Sequence, residues 1–312
     1  MKRIQITTEI KNKYKESILK IFKNKNGYLI KNRKNRIEFK IHVNLLDKLI
    51  KKKLKKFDKD ISFEKLLVAD FIYLKKLVDY LDKNSSYASL SEKQKKYFYI
   101  LYERLNKVEF IRNLNINVCP YCNRNYIFNF KKKKLNATAQ LDHFFDKNHY
   151  PFLSVSLYNL IPSCPTCNQR KSNKKVDIFN PYIYDIDSFI RFELKIRTSD
   201  FYYSTKGFDI DIVPKRNVND KEILQKINNH IETFNLKYLY NNHKDIILEL
   251  IQKKYIYNES YLDELYKKYE GTIFRNREDL IRLISCAYVD DNINQRPLSK
   301  MIKDISKQLE LI

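Results

Sequence analysis

Glycine and proline are scarce in this chain, three and seven among 312 residues. That scarcity excludes collagen-like and low-complexity architectures. Long apolar runs are lacking too: none approaches the roughly 18 residues that a membrane span needs. Residues 1–20 carry neither an apolar core segment nor a small-residue cleavage site, so no secretory signal is read there. The expectation is a cytoplasmic chain without a membrane partner, in which thiols stay reduced. Hydrophobic residues at 43% and aromatics at 14% exclude a disordered basic tail. Acidic residues form the last shortage, 37 against 61 Lys and Arg, for a net charge of +24. The imbalance is local: residues 1–182 hold 40 basic and 16 acidic side chains, whereas residues 183–312 hold 21 of each. Such charge suits a polyanion such as nucleic acid; a solvated lysine-rich face is the plainer reading.

The expected class is α+β and mainly helical. Residues 1–110 read as a basic helical region, with apolar residues at helix spacing through Leu45, Leu46, Leu49 and Ile50 and again from Leu66 to Leu81. Ser89 to Glu92 reads as a helix cap. Residues 111–182 change character and hold five of the seven prolines and four of the five cysteines. There Asn125 to Phe130 reads as a strand, Lys131 to Lys134 as a basic loop and Thr138 to Phe144 as the returning strand. A short helix is expected from Pro165. Residues 183–215 read as a β-hairpin, Phe192–Ile196 against Phe208–Ile212 with Lys206-Gly207 as the turn. Residues 216–312 read as helical, with Leu236–Ile256 as one stretch and Cys286 in the core.

Two C-x-x-C pairs carry the strongest signal. Cys119-Pro120-Tyr121-Cys122 and Cys164-Pro165-Thr166-Cys167 are separated by 41 residues. Four thiolates supply the tetrahedral sulfur set that zinc favours, and in a reducing compartment disulfides are not expected. A closed four-cysteine site is structural, and it would clamp the hairpin to the following helix.

Between the pairs lie Leu141-Asp142-His143-Phe144, Asn159 sixteen positions after His143, and Asn168 nine positions later. A carboxylate and an amide oxygen can hold magnesium or manganese. A neutral imidazole can take a proton from water. Lys171 follows Asn168 by three residues and so shares its helix face. Arg124 and Lys131, Lys132, Lys133 and Lys134 are candidate phosphate contacts.

With these residues in place, the stretch 119–182 resembles an HNH nuclease of the ββα-metal class, in the variant whose last motif residue is Asn. Phe179-Asn180-Pro181-Tyr182 resembles the segment that closes such cores. Residues 236–245 and 296–300 resemble tail motifs of HNH proteins from bacterial anti-phage systems, including the Septu-type and retron-linked components. Asp146 is a departure, since relatives often carry Pro there. The resemblance implies that His143 is the general base and that Asp142 and Asn168 hold one divalent ion. Asn159 would fix the loop and orient His143 by hydrogen bonding. Lys171 or Arg170 would contact phosphate. It also implies a DNA substrate, cleavage to 5′-phosphate and 3′-hydroxyl ends, and an ATPase partner. An RNase with the same catalytic set, for instance one directed at tRNA, and a zinc-stabilised nucleic-acid-binding adaptor without catalysis are the alternatives.

Overall fold

The computed structural model describes residues 1–22, 28–31, 37–85, 89–131 and 135–312. Helices dominate, and the described strands pair as four two-stranded antiparallel sheets. The helices of the first third start where short polar side chains satisfy their open backbone N–H groups. Thr7 caps Thr8–Leu19, Ser62 caps Phe63–Val68 and Asp70 caps Phe71–Lys83. Glu92–Arg104 opens with a full capping box between Ser91 and Gln94. Asn106 caps Lys107–Asn113. This third is not wholly helical: strands β1 (Tyr28–Lys31) and β2 (Ile37–Ile41) form a hairpin within it.

The central segment departs from the expected single hairpin. Strand β3 (Asn129–Lys131) pairs with the short β4 (Leu135–Ala137). Strand β5 (Gln140–His143) then leaves that pair and joins β6 (Leu160–Ser163), with Asp142 opposite Ile161 and His143 opposite Leu160. The returning strand therefore splits near Thr138, whose amide bonds the Phe128 carbonyl. Residue 125 onward is not continuous strand either. Tyr126 makes only an isolated bridge to Val118, and Tyr126, Phe128 and Phe130 stay exposed. The helix Pro165–Lys171 follows β6 directly, with Cys164 as its N-cap and Pro165 in the first turn.

Helices of the first third pack over this unit. Phe98 meets Phe152 edge-on at 5.4 Å. The Tyr14 hydroxyl donates to the Val155 carbonyl at 2.8 Å, and that of Tyr102 to the Leu141 carbonyl at 3.1 Å.

In the last third, β7 (Ile190–Ile196) and β8 (Phe208–Pro214) alternate inward apolar residues with outward polar ones. The chain between them turns through residues 197–207, longer than a two-residue turn. Gly207 is required there because a Cβ would come within 2.6 Å of the Phe201 backbone. The helix Ser299–Gln308 closes the free edge of β7: Asp304 accepts from the Phe192 amide, and the Gln308 side chain bonds both backbone groups of Leu194. Lys300 is fully buried, 2.6 Å from Asp187 and 2.7 Å from Asp304. The stretch 236–256 divides into Leu236–Asn241 and Lys244–Ile256. Cys286 is exposed at a left-handed helix end, not in the core. A second, small apolar cluster gathers Leu262, Phe274, Leu280 and Ile284.

Candidate active site and metal centre

The two cysteine pairs meet. The sulfurs of Cys119, Cys122, Cys164 and Cys167 all lie within 4.8 Å of one another and all four residues are buried. Zinc–sulfur bonds of ~2.3 Å in a tetrahedron place sulfurs roughly 3.8 Å apart; the Cys122–Cys164 separation is 4.0 Å. The set fits zinc. Donors already turn toward the sulfurs: the Arg124 amide to Cys122 at 3.4 Å, and the Asn125 side-chain amide to Cys164 at 3.3 Å. The neighbouring cysteines and Asn125 hold the Cys164 thiol far below its ordinary value.

The last third braces the first knuckle residue by residue. His230 Nε2 bonds the Tyr121 carbonyl at 2.9 Å, and Tyr240 donates to the Cys122 carbonyl at 2.5 Å. Asn123, left-handed and fully buried, accepts from the Lys300 amide and donates to the Ile293 carbonyl. Arg124 Nε donates to His243 Nε2 at 3.1 Å. The segments 236–245 and 296–300 are therefore knuckle supports. Arg124, read from sequence as a phosphate contact, is turned inward onto His243.

Tyr121 links the knuckle to the neighbouring chemistry. Its hydroxyl donates to Asp142 at 2.7 Å. Sequence reasoning passed over this residue, because nothing in the C-P-Y-C spacing says where the tyrosine ring points.

Asp142 is 3% exposed. Besides Tyr121 it faces the Lys171 ammonium, 3.2 Å from each carboxylate oxygen. Burial raises the Asp142 pKa, and Lys171 and the Tyr121 hydroxyl oppose that. Lys171 also donates to the His143 carbonyl at 2.7 Å. The helix Pro165–Lys171 thus lies along β5, with Asn168 donating to Gln140 at 2.6 Å one step away. Lys171 is an internal cation here rather than a surface phosphate contact. Arg170 lies beside the Asn235 amide.

His143 is buried, and its imidazole packs on Tyr102 with ring centres 4.4 Å apart. Nε2 lies 3.0 Å from the Ser154 carbonyl. A carbonyl only accepts, so Nε2 carries the proton in the neutral ring. Nδ1 has no hydrogen-bond partner among the described residues and is the basic nitrogen. Burial lowers the pKa to about 4, with Lys147 and Lys171 adding to the effect and the Ser154 carbonyl opposing it. Among the described residues Asn159 makes no side-chain hydrogen bond to this ring. Its Oδ1 accepts from the Phe145 amide, and its Nδ2 donates to the carbonyls of Phe145 and Leu153. It closes the loop 144–153 at both ends and so fixes the Ser154 carbonyl that orients His143.

Lys131 ends β3, and Lys132, Lys133 and Lys134 lie outside the described residues. His149 is an exposed loop residue bonded to Asp146 at 2.8 Å. Among the described residues no helix is long and apolar enough to cross a membrane.

His143 and His230 imply a pH effect on stability. Both have folded pKa values of about 4, depressed mainly by burial, against about 6.5 for an unperturbed histidine. Between those values the unfolded chain binds protons that the folded chain refuses. Their contribution therefore falls as pH drops from about 6.5 toward 4, by about 1.4 kcal/mol per pH unit per histidine. Denaturant titrations at pH 7 and 5 should show this loss, and it should be smaller in His230→Gln.

Over 133 residues the chain is 28% identical to the Septu protein PtuB of Bacillus thuringiensis, covering 38% of this chain. The alignment takes in 49% of that relative, about half its length. No family model matches the chain, and no solved structure matches it.

Proposed function

We propose that this chain is a metal-dependent HNH endonuclease that hydrolyses phosphodiester bonds, with DNA as substrate, in a bacterial anti-phage system. The observation that carries the reading is His143. It is a neutral, oriented imidazole whose Nδ1 has no hydrogen-bond partner among the described residues, on a strand whose preceding residue is a carboxylate facing a helix. The antiparallel pair β5–β6 followed by the helix Pro165–Lys171 supports this reading. The similarity to a Septu protein supports the defence role, in which a separate ATPase would be the partner.

In this reading His143 Nδ1 takes the proton of the attacking water. At pH 7 a base with a pKa near 4 is almost wholly in its competent form. Asp142 and Asn168 would hold the magnesium or manganese ion, and their oxygen donors suit such a hard cation. When bound, the ion supplies charge neutralisation at the scissile phosphate and the leaving 3′ oxygen. Tyr121 positions the Asp142 carboxylate, and Asn159 keeps the loop behind His143 closed.

Lys171 supplies the positive charge beside Asp142 in this structure. Lys171→Met would leave a buried carboxylate uncompensated, which costs ~3–5 kcal/mol. Thermal melts should show that loss without added divalent ion and a partial recovery with millimolar manganese. A melt indifferent to manganese would argue against metal binding at Asp142.

The assay for the reaction is incubation of the purified chain with supercoiled plasmid, linear duplex and total tRNA, with magnesium or manganese. Cutting of plasmid and duplex is expected. Selective cutting of tRNA would make the enzyme an RNase, and no cutting, even with the partner ATPase added, would favour a binding protein.

A further inference from the structure

Lys171 is buried on Asp142, and half-buried Arg124 gives its Nε to His243; other cations near His143 can then serve a substrate phosphate. Two lie there. Lys107 opens the helix Lys107–Asn113, and Lys147 stands four residues after His143. Both reach the same ring: Lys107 Nζ is 4.0 Å and Lys147 Nζ 4.9 Å from the centre of Tyr102. That ring is the one packed on His143. Lys147 is also held over Tyr99, whose hydroxyl donates to the Lys147 carbonyl at 3.3 Å.

Neither ammonium has a carboxylate in direct contact among the described residues. Both lysines are half-buried, and among the described residues neither forms an ion pair, whereas Lys171, Lys175, Lys226 and Lys300 all do. The nearby acids act only at a distance, Glu103 as the smallest of the influences on Lys107. Glu103 is exposed, and Asp146 is bonded to His149. Tyr102 is no anion, because burial pushes its phenol up to about 12. Its ring face attracts each cation only weakly compared with a carboxylate. Burial, then the like charge of Lys147, holds Lys107 below the usual lysine value. Two cations without a direct carboxylate partner, converging beside a base, form a site for an anion.

We propose that Lys107 and Lys147, set on the Tyr102 ring, form a cradle for backbone phosphates of the nucleic acid flanking the bond cut at His143. The cradle rests on the nuclease reading and names the groups that hold its substrate. The Tyr99 and Tyr102 rings fix the two ammonium groups before binding, so little side-chain freedom is lost when phosphate arrives.

The test is affinity for a short duplex DNA, without added divalent ion, between 50 and 200 mM salt. Each lost phosphate contact lowers the slope of log affinity against log salt by about 0.9. Lys107→Gln with Lys147→Gln should lower the slope by about 2 and weaken binding about 10-fold or more. The Arg pair should keep the slope, and Lys206→Gln, far along the chain in the 197–207 turn, should leave it unchanged. Zinc content and melting temperature identify any variant that fails to fold; the two single Gln variants, each losing about 1 in slope, then carry the test. A wild type that cuts DNA, beside Gln variants with an unaltered slope, overturns the cradle alone. A wild type that neither cuts nor binds nucleic acid overturns the nuclease reading and the cradle with it.

Discussion

Cys164→Ser should abolish the folded core rather than weaken it. Cys164 is a sulfur of the four-cysteine cluster, the N-cap of the helix bearing Asn168 and Lys171, and the acceptor of the Asn125 amide. Structural zinc contributes ~10–16 kcal/mol to folding in small zinc-binding units, and a whole domain is stable by only ~5–15 kcal/mol. The loss is as large as the whole stability of such a domain. Elemental analysis should find about one zinc per wild-type chain. Chelation or Cys164→Ser should remove it together with the cooperative thermal transition. The consequence reaches the candidate active site, because Tyr121 of the first pair holds Asp142. A zinc-free chain that melts normally would show that four buried thiols pack without metal.

His143→Ala should lower the cleavage rate by ~10²–10⁴-fold, the range for removing a positioned general base. Folding should survive. The substitution removes one ring from the Tyr102 contact and one hydrogen bond to Ser154, and it leaves the cysteine cluster intact. Single-turnover cutting beside a melt and a zinc assay separates the two effects. A slow variant with normal zinc and melting would locate the loss in the chemistry, whereas a low melting temperature would leave it in the fold.

Local pattern carried much of this architecture. The spacing of the cysteines foretold a cluster that the fold assembles across 41 intervening residues. Alternation along Phe192–Ile196 and Phe208–Ile212 foretold β7 and β8, and Pro165 marked the helix start. The failures at the candidate site share a cause: each depends on a contact between distant residues. Lys171 looked like a surface cation from its helix position, but the helix lies along β5 and drives it onto Asp142. Arg124 looked free until His243 came from the last third of the chain. Tyr121 and the Lys107–Tyr102–Lys147 group are invisible in sequence for the same reason. The split of the returning strand follows from the competition of β3 and β6 for one segment, which periodicity alone cannot resolve.

The scarce acids and surplus lysines now have a sharper address. Lys171, among the basic residues of the first 182, is buried on Asp142. Lys107 and Lys147, set on the ring packed against His143, are the pair proposed to meet phosphate.

The most direct test of the hydrolase account is the chemistry of the cut ends. Duplex DNA incubated with wild type and with His143→Ala, with and without magnesium or manganese, is examined for new 5′ ends that accept label only after phosphatase treatment. The account predicts metal-dependent 5′-phosphate and 3′-hydroxyl ends from wild type and almost none from His143→Ala. Equal cutting by both chains, or ends of the opposite polarity, would contradict it.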